Sequence, residues 1–301
     1  MNLELQIINI VTCKNISILL KEDFIMRIFV TGATGYIGSE VVRELIDAGH
    51  NVIGLTRSDK GAEKLKKAGA EVHLGTLNDL DSIRSGASLA DGVIHMAFNH
   101  DFSDFQGSLN TDLKVIETIG EVLEGTGKAF LSIAHANGAA SDNATLELAN
   151  RGVRASVASL SPSVHGDGDK GFIPILINIA REKGFSAYVG DGSNRWPAVH
   201  RKDVATLLRL AIEAAPAGSR LDGVGDEGIP FLNIANVLGR HLNLPVVSIT
   251  KEKAEAHFGF LGSLVALDMP RSSVKTQQLL NWKPEHPTLI EDLENGDYFE
   301  K

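Results

Sequence analysis

The run Thr31-Gly32-Ala33-Thr34-Gly35-Tyr36-Ile37-Gly38 constrains this chain more than any other part of it. Ile28, Phe29 and Val30 stand before it as a β-branched and aromatic strand; after it, Ser39 to Ala48 carries Val41, Val42, Leu45 and Ile46 at helical spacing. In that strand–turn–helix context each glycine has a task. Gly32 permits the tight turn off the strand, Gly35 lets backbone approach a diphosphate without a Cβ in the way, and Gly38 lets the new helix lie close to the sheet. The helix N-terminus adds N–H groups and partial positive charge. Gly32, Thr34, Gly35, Tyr36, Ile37 and Gly38 are therefore the expected contacts of a dinucleotide.

A second strand, Asn51 to Thr56, follows at the distance expected of a βαβ unit. An Asp or Glu at its end would accept hydrogen bonds from the adenine ribose and select NAD. Thr56 stands there instead, with Arg57 next to it. A guanidinium forks onto a 2′-phosphate, which points to NADP, with NAD as the alternative cofactor. Asp59 competes for the role, and Arg57 also reads as a solvated loop charge.

The alternation then continues: helix 61–68, strand 70–74, helix 79–85, strand 92–97, helix 105–123, strand 129–133 and helix 142–150. Strands apolar on both faces, separated by helices, imply an α/β fold of Rossmann type, a doubly wound parallel sheet that takes ligand at its strands' carboxyl ends. Further on the alternation loosens into helices over 172–183, 202–214, 231–242 and 272–280, a turn at 188–192 and a strand at 246–249. The expected organisation is an extension of uncertain status over 1–25, a dinucleotide-binding domain over 26–165, and a smaller C-terminal substrate lobe over 166–301 with returning strands and helices. A length of 301 residues suits one large domain with a lobe.

Charge and composition exclude several other roles. With 29 Lys+Arg against 38 Asp+Glu the net charge is −9 and no basic stripe is visible, so a nucleic-acid partner is not expected. Residues 3–20 are interrupted by Glu4 and Lys14 and offer neither a membrane span nor a secretory cleavage site. The single cysteine, Cys13, forms no internal disulfide and suits a reducing, cytoplasmic setting. Ten histidines scattered without clustered carboxylates or cysteines give no metal-ligand pattern. Met26, opening directly onto a strand, reads as an initiator; an additional strand or tail is the alternative for what precedes it.

The chain resembles the extended, atypical short-chain dehydrogenases/reductases, the NAD-dependent epimerase/dehydratase family, from Met26 to its end. The resemblance rests on residues 31–38, on Asp91-Gly-Val-Ile-His-Met-Ala (91–97), Arg151-Gly-Val-Arg-Ala-Ser-Val (151–157), Ser161-Pro-Ser-Val-His-Gly (161–166), Trp196-Pro-Ala-Val-His-Arg-Lys-Asp-Val-Ala (196–205) and Leu280-Asn-Trp-Lys-Pro (280–284). It implies hydride transfer between a nicotinamide ring and a small carbonyl or alcohol substrate, and a homodimer built on a helix pair. It places Ala97, Phe98, Pro162 and Ser163 beside the cofactor, and His165, Phe172, Arg195, Trp196 and His200 in or near the substrate cleft, with Arg271 as a further cleft residue; Arg195 and Trp196 side by side suit a clamp on a carboxylate or a stack on a ring, with a surface ion pair as the equal alternative.

The same resemblance calls for a tyrosine with a lysine four residues later, and for a Ser or Thr closing the fifth strand. That dyad is absent. The three tyrosines are Tyr36, Tyr188 and Tyr298; Glu40 and Gly192 occupy the positions four after the first two, and the chain ends at 301. Only His135 to Ser141 separate the fifth strand from the next helix, where relatives carry a long loop, so a segment is expected to be missing through an altered gene model or splice form. The remaining candidates for moving a proton are His100 and Asp101 after the fourth strand, and Ser132 and His135, with Asn137, at the fifth. A dinucleotide-binding protein without catalysis, a redox sensor or scaffold, is the rival reading.

Overall fold

The computed structural model describes residues 25–99 and 104–300. The first half is built of β1 (Arg27–Thr31), α1 (Tyr36–Asp47), β2 (Asn51–Thr56), α2 (Asp59–Ala68), β3 (Glu71–Leu74), α3 (Leu80–Ser88), β4 (Gly92–His95), α4 (Phe105–Leu123), β5 (Ala129–Ile133), α5 (Ala139–Glu147) and β6 (Arg154–Leu160). Next come β7 (Ser163–His165), α6 (Phe172–Lys183), β8 (Ser186–Val189), β9 (Arg195–His200), α7 (Arg201–Ala214), β10 (Ser219–Gly223) and β11 (Asp226–Pro230). The chain closes with α8 (Phe231–Leu242), β12 (Val246–Ile249), α9 (Lys251–Phe258), α10 (Gly262–Val265), α11 (Val274–Leu280) and α12 (Leu289–Asn295).

Seven strands form one parallel sheet in the order β10-β6-β5-β4-β1-β2-β3. Strand order reverses between β1 and β4, which opens a crevice at their carboxyl ends, and the glycine turn lies there. Alternation along β1 shows why both faces must be covered. Ile28 and Val30 enter a core with Val41, Leu45, Leu208 and Trp282, whereas Phe29 enters the opposite core with Ile83, Ile116 and Phe130.

Residues of α7 and β10 return to this sheet: Leu207, Leu208 and Leu221 share the core of Ile28 and Val30, and β10 pairs with β6. The rest of the C-terminal half surrounds a separate apolar core of Ile177, Trp196, Phe231, Leu238 and Leu289. It carries a three-stranded sheet, β11-β9-β7, and a pair, β12-β8. The turn expected at 188–192 is in part strand, because Ser186–Val189 pairs with Val246–Ile249 sixty residues later, a partner that local residue preference does not reveal. The helix expected at 142–150 starts earlier, at Ala139, and ends in a 3-10 turn at Leu148–Arg151. Among the described residues no helix is long and apolar enough to cross a membrane.

Candidate active site

The glycine turn is shaped by sterics that leave no room for side chains. A Cβ on Gly38 would sit 2.0 Å from the Gly32 carbonyl oxygen, and one on Gly32 would meet Ala97 N at 3.0 Å, with Gly32 itself at φ +71°. Gly35 is exposed, and no side chain caps the α1 N-terminus that it begins. The first-turn N–H groups have no intrahelical acceptor, so this end presents donors and partial positive charge outward. Thr34 is half-buried beside the turn, and Ile37 packs on the core beneath it. Past β2, Thr56 is buried and Arg57 is exposed, making no ion pair among the described residues. Asp59 begins α2, whose N-cap is Ser58.

Below the turn runs a buried polar relay that the sequence did not announce. Thr31 Oγ1 accepts from Met96 N at 3.1 Å and from Ala97 N at 3.2 Å, and lies 2.7 Å from His95 Nδ1. Both lone pairs of the hydroxyl are taken, so its proton goes to Nδ1; His95 then carries its own proton on Nε2 and donates it to Asp112 Oδ1 at 3.1 Å. His95 is thus a core histidine with a fixed tautomer. Burial alone would raise the pKa of Asp112, but the hydrogen bond from His95, with smaller contributions from Ser141 and His135, holds it below its ordinary range.

The catalytic candidates fare differently. His100 and Asp101 lie outside the described residues. Ser132 is buried, and its hydroxyl is paired with Thr145 Oγ1 at 2.9 Å, inside the β5–α5 packing and away from the crevice. His135 stands just past β5 with its ring 4.1 Å from that of Phe98, and its Nε2 lies 3.8 Å from Asp112 Oδ1. Ala97, Phe98 and Pro162 are half-buried around the carboxyl ends of β4 and β6, while Ser163 is buried with its hydroxyl unpartnered. Asn137 takes φ +60° in the short link to α5. Tyr36 and Tyr298 do not replace the missing phenol. Tyr36 donates to the Gly166 carbonyl at 3.0 Å under the Arg201 guanidinium, and Tyr298 donates to Asp169 at 3.0 Å while accepting from Gly166 N. Burial, with Asp169 beside both, pushes each phenol far above its usual range. These contacts tie the turn to the C-terminal segment.

The residues expected in the substrate cleft scatter. Trp196 is fully buried against Phe231 and donates to the Leu264 carbonyl, so it is core and not cleft wall. Arg195 is exposed and held by Asp268 through two hydrogen bonds at 2.9 and 2.8 Å, so it is engaged as a surface ion pair, not as a clamp. Phe172 is half-buried on α6 beside Trp196. Arg271 donates to the Leu160 carbonyl at the end of β6.

His165 and His200 belong to a cluster in which His200, Asp203 and His286 bring ligand-type atoms within 4.8 Å of one another. Sequence spacing hid this cluster because its members come from β9, α7 and the segment before α12. Its geometry is that of a clasp and does not fit a cation. Asp203 accepts from the backbone of Glu285 and His286 and lies 2.7 Å from His286 Nδ1. His200 Nδ1 accepts from Lys202 N, which leaves the proton on Nε2, and the His200 and His286 rings stack within 10° of parallel, so their in-plane lone pairs cannot converge. His165 is fully buried, with Nδ1 2.8 Å from Asp292 and Nε2 unpartnered. Burial and the two neighbouring imidazoles push the pKa of His200 down to about 4.

Residues 26–122 match the NmrA-like family. An uncharacterized protein of Schizosaccharomyces pombe is 48% identical over 295 residues, covering 91% of this chain and 100% of its own. Among solved structures, the dTDP-glucose 4,6-dehydratase of Streptomyces venezuelae with NAD bound superposes with a TM-score of 0.71 over 91% of this chain and 97% of that one, at 16% identity. The chain belongs to one family with the fission yeast protein, and its fold is that of the extended short-chain dehydrogenases/reductases. A ketoreductase of Stigmatella aurantiaca, acting on a farnesylated quinoline oxide, is a more distant relative, 25% identical over 78% of this chain and 80% of its own. The alignment with the fission yeast protein spans 295 positions, whereas 91% of 301 residues is about 274, so about 21 of those positions have no counterpart in this chain.

Proposed function

We propose that the protein is an NADP-linked oxidoreductase that moves a hydride between the nicotinamide ring and a small carbonyl or alcohol substrate. The diphosphate seat carries this reading: a turn in which a Cβ on Gly32 or Gly38 would meet backbone, leading into an uncapped helix end, with an exposed Arg57 just past β2 that makes no ion pair among the described residues. When bound, a nicotinamide would supply or take up the hydride. The chain's own groups do the rest. Gly35 and the first turn of α1 would hold the diphosphate, Arg57 would pair with the 2′-phosphate, and Ala97, Phe98, Pro162 and Ser163 would shape the nicotinamide side. His135 delivers a proton to the substrate oxygen during reduction and takes it back during oxidation, the part that a tyrosine plays elsewhere in the family. The Phe98 ring, tilted 32° against it with centroids 4.1 Å apart, shields one side of that imidazole from water.

The NAD-bound dehydratase and the ketoreductase among its relatives support the class of reaction. The same reading assigns the positions missing from this chain to the β5–α5 link, sets the protein in the cytoplasm and makes it a homodimer through the α4 and α5 faces, to be checked by light scattering. The deciding experiment is a titration with NADPH and NADH followed through nicotinamide fluorescence, then a screen of aldehydes and ketones for cofactor consumption. NADPH should bind at least tenfold more tightly than NADH and be consumed. Tight binding without turnover would favour the sensor reading, and binding of neither cofactor would refute both.

A further inference from the structure

Asp112 is the most buried charge next to the candidate proton donor, and its two carboxylate oxygens are treated unequally. Oδ1 accepts from His95 and faces His135, whereas Oδ2 is buried without a hydrogen-bond partner. An ionised oxygen left unmatched in the interior is costly, and a neighbouring cation relieves that cost. His95 cannot be this cation, because a second ring proton would point at a Thr31 oxygen already accepting from Met96 and Ala97. Among the described residues His135 is the other imidazole within reach.

We infer that Asp112 is a positioning residue that orients the His135 imidazole and favours its charged form, so that one buried carboxylate serves both the proton donor and, through His95 and Thr31, the turn that seats the diphosphate. This rests on the assignment of His135 as proton donor made above. Among the described residues, the groups facing the pair are His95 from β4, the Phe98 ring that follows it, and Ser141 and Asp142 from α5. Asp142 is drawn toward Arg220, 3.7 Å away. Coupling between two titrating groups is reciprocal: whatever His135 contributes to keeping Asp112 ionised, Asp112 returns to keeping His135 protonated.

The test is a proton–carbon NMR titration of the histidine rings in the full chain, with the His135 signal assigned by its loss in His135→Gln. Asp112→Asn keeps an oxygen for His95 and removes only the charge. The His135 pKa should fall by about one unit or more in that variant, while Asp142→Asn leaves the titration unmoved. A shift of less than about a third of a unit overturns the inference. Should Asp112→Asn fail to fold, the wild-type curve decides: a second, acidic inflection in the His135 signal as Asp112 protonates is expected, and a single-step curve refutes the coupling. If NADPH binds and this coupling is missing, only the present inference falls; if the coupling is found and NADPH does not bind, the proposed function falls instead. With a substrate in hand, the alkaline limb of kcat/KM should move with the NMR value, which a purely structural role would not cause.

Discussion

Gly38→Ala is the sharpest test of the diphosphate seat. The added methyl would lie 2.0 Å from the Gly32 oxygen, 2.8 Å from its carbon and 3.1 Å from Ala33 Cα, all of them backbone atoms with no rotamer to turn aside. Ordinary contact begins at 3.4 Å, so the turn and α1 must separate by about 1.4 Å. An N–H···O bond of about 2.9 Å stretched by that amount is no longer a hydrogen bond. Losing two charge-assisted bonds to the diphosphate, at about 1.5 kcal/mol each or more, weakens NADPH binding at least about 100-fold. Overpacking costs a further 1–3 kcal/mol of stability, roughly 2–6 °C in Tm. The assay is fluorescence titration with NADPH alongside thermal unfolding. Gly49→Ala is the control: it has φ +91° but nothing within 4 Å of the new methyl, so it should lose about 1–2 kcal/mol of stability and leave binding intact. If Gly38→Ala does not fold, Gly35→Ala decides, since its single contact, 3.2 Å from the Gly32 oxygen, is milder and its methyl projects from an exposed turn. A folded Gly38→Ala that binds NADPH within twofold of wild type refutes the seat.

Arg57→Ala should weaken NADPH about tenfold or more while NADH affinity is unchanged, because only the former carries the 2′-phosphate that a guanidinium grips; equal losses for both would point to a general loop effect. His200 is lowered to about 4 against an unfolded value near 6.5, so between those values the unfolded chain binds more protons and stability falls as the pH drops from about 6.5 to 4. We expect about 1–2 kcal/mol across that window, less than the full shift because solvent reaches the cluster through the His286 edge. His200→Asn keeps a good N-cap for α7 and should flatten that slope in denaturant titrations at several pH values. Arg195→Ala removes an exposed ion pair with Asp268 and should change Tm by no more than about 2 °C; a large loss of turnover with unchanged stability would restore it as a substrate clamp.

Short-range chemistry made much of this fold readable before any coordinates. The turn at 31–38 encodes its own conformation, since glycines, a β-branched strand and an amphipathic helix all lie within twenty residues of one another. Short continuous apolar runs and period-3.6 patterns then mark the alternating strands and helices of the first half, and the absence of a Tyr–Lys pair can be read directly. Tertiary structure alone decided what the polar side chains do. Thr31, His95 and Asp112 are brought together by strand pairing and helix packing across gaps of 64 and 17 residues, Tyr36 meets Gly166 across 130, and Asp203 reaches His286 across 83. Such contacts leave no periodic trace, because one hydrogen bond fixes one donor and one acceptor and asks nothing of their neighbours in sequence. Trp196 and Arg195 show the same limit: adjacent in the chain, one is driven into a core by Phe231 and the other held at the surface by Asp268, a division set by strand alternation and by partners that only the folded chain supplies.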